Sequence, residues 1–219
     1  FVLYLILGIS IISYLFDQLL DYINLNAQRK DIPAEVAGFY DREKYLKSLD
    51  YHREQTRFGF LTAAVGFALS LLMLIFGGFG MVDLWLRQNI QNDIVLALVF
   101  FGSILLVSDW ITLPFQWYST FVIEEKYGFN KTTIKTFVTD KLKGYLLGAV
   151  VGGLLIALLI MLIQKIGPDF WIWFGLVASI FILLVNMFYT SLLLPLFNKL
   201  TPLQPGELKT AIEDFAKTV

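Results

Sequence analysis

Long uncharged runs alternate with short mixed-charge segments along this chain. Residues 58–82, 144–164 and 170–198 contain no Asp, Glu, Lys or Arg, and residues 94–123 contain only Asp109. Residues 1–16 are also uncharged up to Asp17. A bilayer core about 30 Å thick is crossed by roughly 20 apolar residues in a helix. The pattern therefore predicts an all-α, polytopic membrane domain over residues 1–198. Its five transmembrane helices lie at about 1–25, 58–82, 94–123, 144–164 and 170–198. The polar segments carry their own periodicity. Residues 132–142 place Ile134, Phe137, Val138 and Leu142 near helical spacing with lysines between, which reads as an amphipathic surface helix. Residues 207–219 place Leu208, Ala211, Ile212 and Phe215 on one face, so 199–219 reads as the start of a cytoplasmic helical region. The chain begins inside an apolar run and stops inside a helical pattern, as a piece of a longer polypeptide would.

Composition narrows the class. Of 219 residues, 57% are hydrophobic and 16% charged, against roughly 25% charged in soluble domains. Disorder, a collagen-like chain and a disulfide scaffold are excluded. A net charge of −1 leaves no basic footprint for nucleic acid. With no cysteine, thiol catalysis and thiolate metal sites are excluded within these residues.

Charge sets the orientation. Of 17 Lys and Arg, fifteen fall in 26–57, 124–143 and the segment after 198, and only Arg87 and Lys165 fall in the two other loops. The positive-inside rule puts the basic set in the cytoplasm, with the N-terminus outside and the C-terminus inside. Trp85, Trp171 and Trp173 then lie near the outer ends of spans, where indole rings favour the interface. The tripled spacing Gly144, Gly148, Gly152 gives span four a smooth stripe for close helix packing. Pro114 should kink span three, and Pro195 should help end span five.

Asp109 is the candidate for chemistry. A carboxyl at mid-membrane depth is costly unless it faces water, a partner or a cavity. It reads either as a chamber-lining or substrate-facing group, or as a structural polar contact with Asn186, Ser103 or Thr112. His52 is the single histidine, so an H-E-x-x-H zinc site cannot be built; it reads as a solvated or packed loop histidine. Glu124 and Glu125 read as a span end that pairs with Lys126 or Lys131, and Asn130 as the cap of the helix after it.

Two longer stretches are more distinctive. Residues 119–133 read STFVIEEKYGFNKTT, followed by Phe137 and Asp140-Lys-Leu-Lys143; residues 194–208 read LPLFNKLTPLQPGEL, followed by Ile212-Glu213. With Leu25-Asn26, Pro33, Tyr45 and Tyr51 they resemble the N-terminal membrane domain of the type I CAAX prenyl protease family. That resemblance implies a helical barrel around a water-filled chamber. It also implies a zinc metalloendopeptidase that trims prenylated CAAX proteins or cuts other membrane-associated substrates. The family's zinc ligands lie downstream of the stretch matching 194–208. No cofactor is therefore expected here, zinc is expected in a missing C-terminal peptidase region, and this chain alone is expected to be inactive.

The resemblance gives the candidates roles. Asp109 and Asn186 become chamber-lining candidates. Glu124, Glu125, Gly128, Phe129 and Asn130 become an inner rim, with Gly128 in a turn that a Cβ would disfavour. Pro195, Asn198, Lys199, Pro202 and Gly206 become a junction to the missing peptidase region. The implied partners are the lipid bilayer, that region, and a protein or peptide substrate. A stand-alone membrane scaffold, or a small transporter using Asp109, are the alternatives. The compartment expected is a bacterial inner membrane.

Overall fold

A computed structural model of the chain describes residues 1–29, 31–32, 38, 41–198 and 200–218. Lys30, Pro33 and Lys199 lie outside them. The described residues form α1 (Val2–Ala27), α2 (Arg42–Ile75), α3 (Gly78–Arg87), α4 (Asp93–Tyr118), α5 (Ile134–Ile166), α6 (Phe170–Phe188), α7 (Leu194–Phe197) and α8 (Glu207–Thr218). No strand occurs among them. A π-helical segment, Ser119–Glu124, extends α4, another, Tyr189–Leu193, links α6 to α7, and a 3₁₀ turn, Gly167–Asp169, joins α5 to α6.

Local chemistry sets the ends. The Asp41 carboxylate accepts the Lys44 amide at 2.9 Å and caps α2. Asn92 Oδ1 accepts the amides of Ile94 and Val95, each at 3.0 Å, and caps α4. Gly77 has φ +67 and Gly167 has φ +71, left-handed values that end α2 and α5 and that favour glycine. These stops redraw two sequence boundaries. The uncharged run 58–82 is split at Gly77, so its last residues belong to the short helix α3. The amphipathic segment 132–142 is no separate surface helix: from Ile134 it is the beginning of α5.

Four helical stretches are long and apolar enough to cross a membrane: Val2–Ala27, Arg42–Ile75, Asp93–Glu124 and Ile134–Phe197. The last is 64 residues long, about 96 Å if straight, three times the hydrocarbon thickness. It folds back instead. Gly167 turns the chain, and the Lys143 ammonium near the start of α5 donates to the Leu196 carbonyl of α7 at 2.8 Å. It is therefore two crossings, making five.

The chain divides into two compact units, Phe1–Phe137 and Val138–Val219. In the first, α2 packs against α1, α3, α4 and the π-helical extension of α4. Tyr14 of α1 stacks on Phe67 of α2 with ring centroids 4.0 Å apart. In the second, the Lys143 ammonium also lies 5.7 Å over the Phe197 ring. Pro195 sits in the first turn of α7, just after a π-helical segment, and the helix ends two residues on, at Phe197. Among the described residues only Leu86, Leu96 and Ile123 are buried apolar side chains, and no polar side chain is buried. With this composition such a surface requires lipid.

Candidate functional site

The densest polar cluster gathers on one face of α2. Tyr51, Glu54, Gln55 and Phe58 recur at i, i+3, i+4 and i+7, which brings them onto one stripe. This stripe receives residues 115–130. Phe58 meets Tyr118 and Phe115, with centroids 4.8 and 6.2 Å away. Gln55 Nε2 donates to Ser119 Oγ at 2.8 Å. The Lys126 ammonium and the Tyr127 hydroxyl both donate to Glu54 Oε2, at 2.6 and 2.8 Å. Tyr51 packs edge-on against Tyr127 and Phe129, at 5.5 and 4.8 Å.

The backbone of 124–130 is built to present those groups. Gly128 has φ +70. Its amide donates to the Glu125 carbonyl at 3.0 Å, and the Phe129 amide to the Glu124 carbonyl at 2.9 Å. These two bonds close a Schellman turn, which satisfies the last helix carbonyls. The hydrogen bond to Glu54 raises the Lys126 pKa above its ordinary 10.5. The same carboxylate, with burial second, raises Tyr127 above 10.0. Both stay protonated at neutral pH.

Two sequence expectations for the rim are corrected. Lys126 pairs with Glu54 across 72 residues, not with its neighbours Glu124 or Glu125. Turning away from α2 at Gly128 leaves Glu125 to accept Asn130 Nδ2, at 2.9 Å. Asn130 does not cap α5. Its Oδ1 accepts the Thr132 amide at 2.7 Å in an Asx turn. The cap is Thr133, whose Oγ1 accepts the Thr136 amide at 3.1 Å.

His52 is likewise not a loop residue; it lies inside α2. Gln28, at the end of α1, accepts from Arg53 Nε at 3.1 Å, and its Nε2 lies 2.7 Å from His52 Nδ1. An arginine can only donate, so Gln28 Oε1 must face Arg53 and its amide must donate to His52. The same Nδ1 is 3.3 Å from Thr56 Oγ1. Among the described residues no three His, Cys, Asp or Glu side chains gather as a metal set.

Asp109 heads a polar ladder along α4. Gln116 Nε2 donates to Asp109 Oδ1 at 3.2 Å and to Thr112 Oγ1 at 3.0 Å, while Thr112 donates to the Asp109 carbonyl at 3.0 Å. Thr112 thus meets Asp109 through the backbone. Ser103 donates to the Phe100 carbonyl at 2.9 Å, and Asn186 to the Ile182 carbonyl at 2.8 Å. In the 194–208 stretch, Asn198 is extended after α7, and the Gly206 carbonyl accepts the Thr210 amide at 3.1 Å to start α8; Pro202 lies between them. Glu54, Gln28, Gln55 and Gln116 were missed in the sequence. The signal for Glu54 was the Tyr51–Phe58 spacing, hidden inside a mixed-charge segment read as a loop.

The family model described as CAAX prenyl protease N-terminal, five membrane helices, matches residues 21–199. A CAAX prenyl protease 1 homolog of Arabidopsis thaliana is 34% identical over 222 residues, covering 98% of this chain and 52% of its own. CAAX prenyl protease 1 of Saccharomyces cerevisiae is 29% identical, covering 98% of this chain and 50% of its own. The crystal structure of S. mikatae Ste24p has a TM-score of 0.82 at 29% identity, over 96% of this chain and 51% of that one. The chain thus spans about half the length of these relatives. The match over 179 residues, holding both distinctive stretches up to Lys199, places this chain in the CAAX prenyl protease N-terminal family of five-helix membrane domains.

Proposed function

We propose that residues 1–219 form the membrane half of a zinc metalloendopeptidase acting on CAAX or other membrane-associated protein substrates. The supporting observation is the match to Ste24p, which runs through 96% of this chain and half of that one. The share of the relatives' length outside this match is where zinc ligands and a peptidase site would lie. Residues 1–219 alone are inactive in this reading, and no step of the reaction is assigned to them.

Their roles are positional. The ladder Asp109–Thr112–Gln116 faces water at mid-membrane depth, and Asn186 is, separately, a water-facing candidate of the second unit. The Glu54–Lys126–Tyr127 cluster holds the inner rim 124–130 against α2. The segment from Pro195 through Asn198, Lys199, Pro202 and Gly206 docks the remaining half of the polypeptide. The basic loops face the cytoplasm. The protein is an integral multi-pass membrane protein; its named relatives are from a plant and yeasts, so they lend no support to a bacterial inner membrane.

The test is cleavage of a prenylated CAAX peptide in proteoliposomes. A full-length protein carrying this domain should cut it and lose activity to a zinc chelator, and residues 1–219 alone should not cut it. An uncut peptide with the folded full-length protein overturns the reading and leaves a membrane scaffold.

A further inference from the structure

Contacts fix how α1, α2 and α4 stand around one another. α2 meets α1 through Arg53, which pairs with Gln28, and through Phe67, which stacks on Tyr14. It meets α4 and its π-helical extension through Gln55 and Phe58, which reach Ser119, Tyr118 and Phe115. At about 100° per residue these two pairs of positions lie some 170° apart on α2. α1 and α4 therefore flank α2 in one layer, and α2 keeps two free sides.

One free side carries Leu61, Ala64, Ala68, Leu72 and Ile75, all exposed. The other carries Gly59, Ala63, Gly66 and Ser70, and a Cβ added at Gly59 or Gly66 would meet nothing within 4 Å. The neighbours run antiparallel to α2, so their angles count in the opposite sense. On α4, Asp109, Thr112 and Gln116 lie about 60–130° round from the positions that meet α2, toward the Gly59–Ser70 side. On α1, Ser13, Asp17 and Asn24 lie about 40–80° round from Tyr14 and Gln28, toward that same side. Tyr4, Ile11, Leu15 and Tyr22, all exposed, turn toward the Leu61 side instead. The layer thus has a polar side and an apolar side.

Two acids stand at depth on the polar side. At 1.5 Å per residue above the level of Phe58, Asp17 lies at about 9 Å and Asp109 at about 13 Å, well inside a hydrocarbon core about 30 Å thick. The charged residues in 1–25, 58–82 and 94–123 are Asp17, Asp21 and Asp109, and every one is an acid.

We propose that the polar side of this layer faces water through the depth of the membrane, that Asp17 shares this water with Asp109, and that the side takes up small cationic solutes in preference to anionic ones. Carboxyls at such depth are tolerated where they meet water or a partner. Lipid suits the opposite side, where large apolar side chains stand exposed. With no cation at this depth, the fixed charge facing the water is negative. This deepens the water-facing reading of Asp109 and does not rest on the proteolytic one.

The test places single cysteines in the full-length protein, on a background free of other reactive cysteines, in phosphatidylcholine proteoliposomes with reagent on both sides. Ala63→Cys, Gly66→Cys and Ser70→Cys should react with water-soluble methanethiosulfonates. Ala64→Cys, Ala68→Cys and Leu72→Cys should react about ten-fold more slowly or less, because a thiol in lipid does not ionise. At Gly66→Cys the cationic trimethylammonium reagent should outpace the anionic sulfonate one, each scaled to its rate on a free thiol. Asp17→Asn and Asp109→Asn should each cut that ratio about three-fold. Equal rates in the two α2 files would remove the sidedness, and a ratio unchanged in the double Asn variant would remove the shared acidic water. Reaction at Thr112→Cys with none at Ala63, Gly66 or Ser70 would keep water at Asp109 and remove the shared side. No reaction at either place would remove water at Asp109 as well. Each of these four results overturns the proposal.

Discussion

At the residue scale, the rim rests on one carboxylate with two donors. Tyr127→Phe deletes a single hydrogen bond to Glu54 and keeps the ring against Tyr51. A bond of this kind contributes about 1 kcal/mol, so the melting temperature in detergent should fall by a few degrees. The pH dependence has a definite sign. The folded pKa of Tyr127 lies above its unfolded value of 10.0. A group raised in this way stabilises fully below the unfolded value and loses that contribution as pH climbs through the folded one. The gap between parent and Tyr127→Phe should therefore be constant from pH 7 to 9 and close above about pH 10. The gap should also narrow in acid as Glu54, held below its ordinary 4.5 first by Lys126 and then by Tyr127, takes up a proton; a gap that stays constant at both ends of the pH range would remove the Tyr127–Glu54 bond from the account. Asp109 poses the second question at this scale. If it faces water, Asp109→Asn and Asp109→Leu should both yield folded protein, since neither leaves a charge to satisfy. Loss of folded protein in both variants would assign Asp109 a structural role within its ladder. Neither Glu54 nor Gln116 was legible from the sequence. Their partners are set by three-dimensional contact or by a seven-residue reach along the helix, and no charge count reports either.

At the element scale, the stops that depend on backbone geometry were readable, and those that depend on competing side chains were not. Gly128 follows a run of helix formers and precedes Phe129, and its left-handed conformation is the one that a glycine there suggests. Gly128→Ala should cost about 1 kcal/mol through backbone strain alone, since the nearest atom to an added Cβ is Lys47 Nζ at 3.8 Å. Asn130 and Thr133 are both good capping types, and only the Asx turn at Asn130 decides between them. Thr133→Ala should then destabilise the start of α5 by about 1 kcal/mol. Amide exchange should rise at Thr136 and its neighbours, while Asn130→Ala should leave Thr136 protected. The reverse result would restore Asn130 as the cap. Hydropathy drew α2 and α5 too short because it tracks the lipid, whereas a helix continues into water as long as caps and periodicity support it. Hence α2 begins at Arg42, sixteen residues before its uncharged run, and α5 absorbs the amphipathic segment that was expected to stand apart.

At the scale of the whole molecule, the number of crossings follows from length and charge together. Four stretches are membrane-long, and the fifth crossing appears because no bilayer holds 64 residues in one pass and Gly167 turns the chain. Which side each loop occupies is a separate matter, and the basic residues supply the argument. Fifteen of 17 Lys and Arg lie on one set of faces, and retention of such loops on the cytoplasmic side is the dominant topological determinant for short loops. Residues 1–219 contain no cysteine, so single introduced thiols report cleanly within them. Ser48→Cys, Lys131→Cys and Glu207→Cys sit at exposed positions in the basic segments, and Gln91→Cys and Asp169→Cys at exposed positions in the other two loops. In intact cells or sealed vesicles of known sidedness, a membrane-impermeant maleimide should reach the first three only from the cytoplasmic side. It should reach the last two only from the opposite side. A basic segment labelled from outside would invert the topology, and with it the direction in which a substrate approaches the rim. Labelling of Gln91 and Asp169 from different sides would remove a crossing between them. The two loops are separated by α4 and α5, which return the chain to the face it left, so their shared side is fixed by the count of spans before any charge is considered.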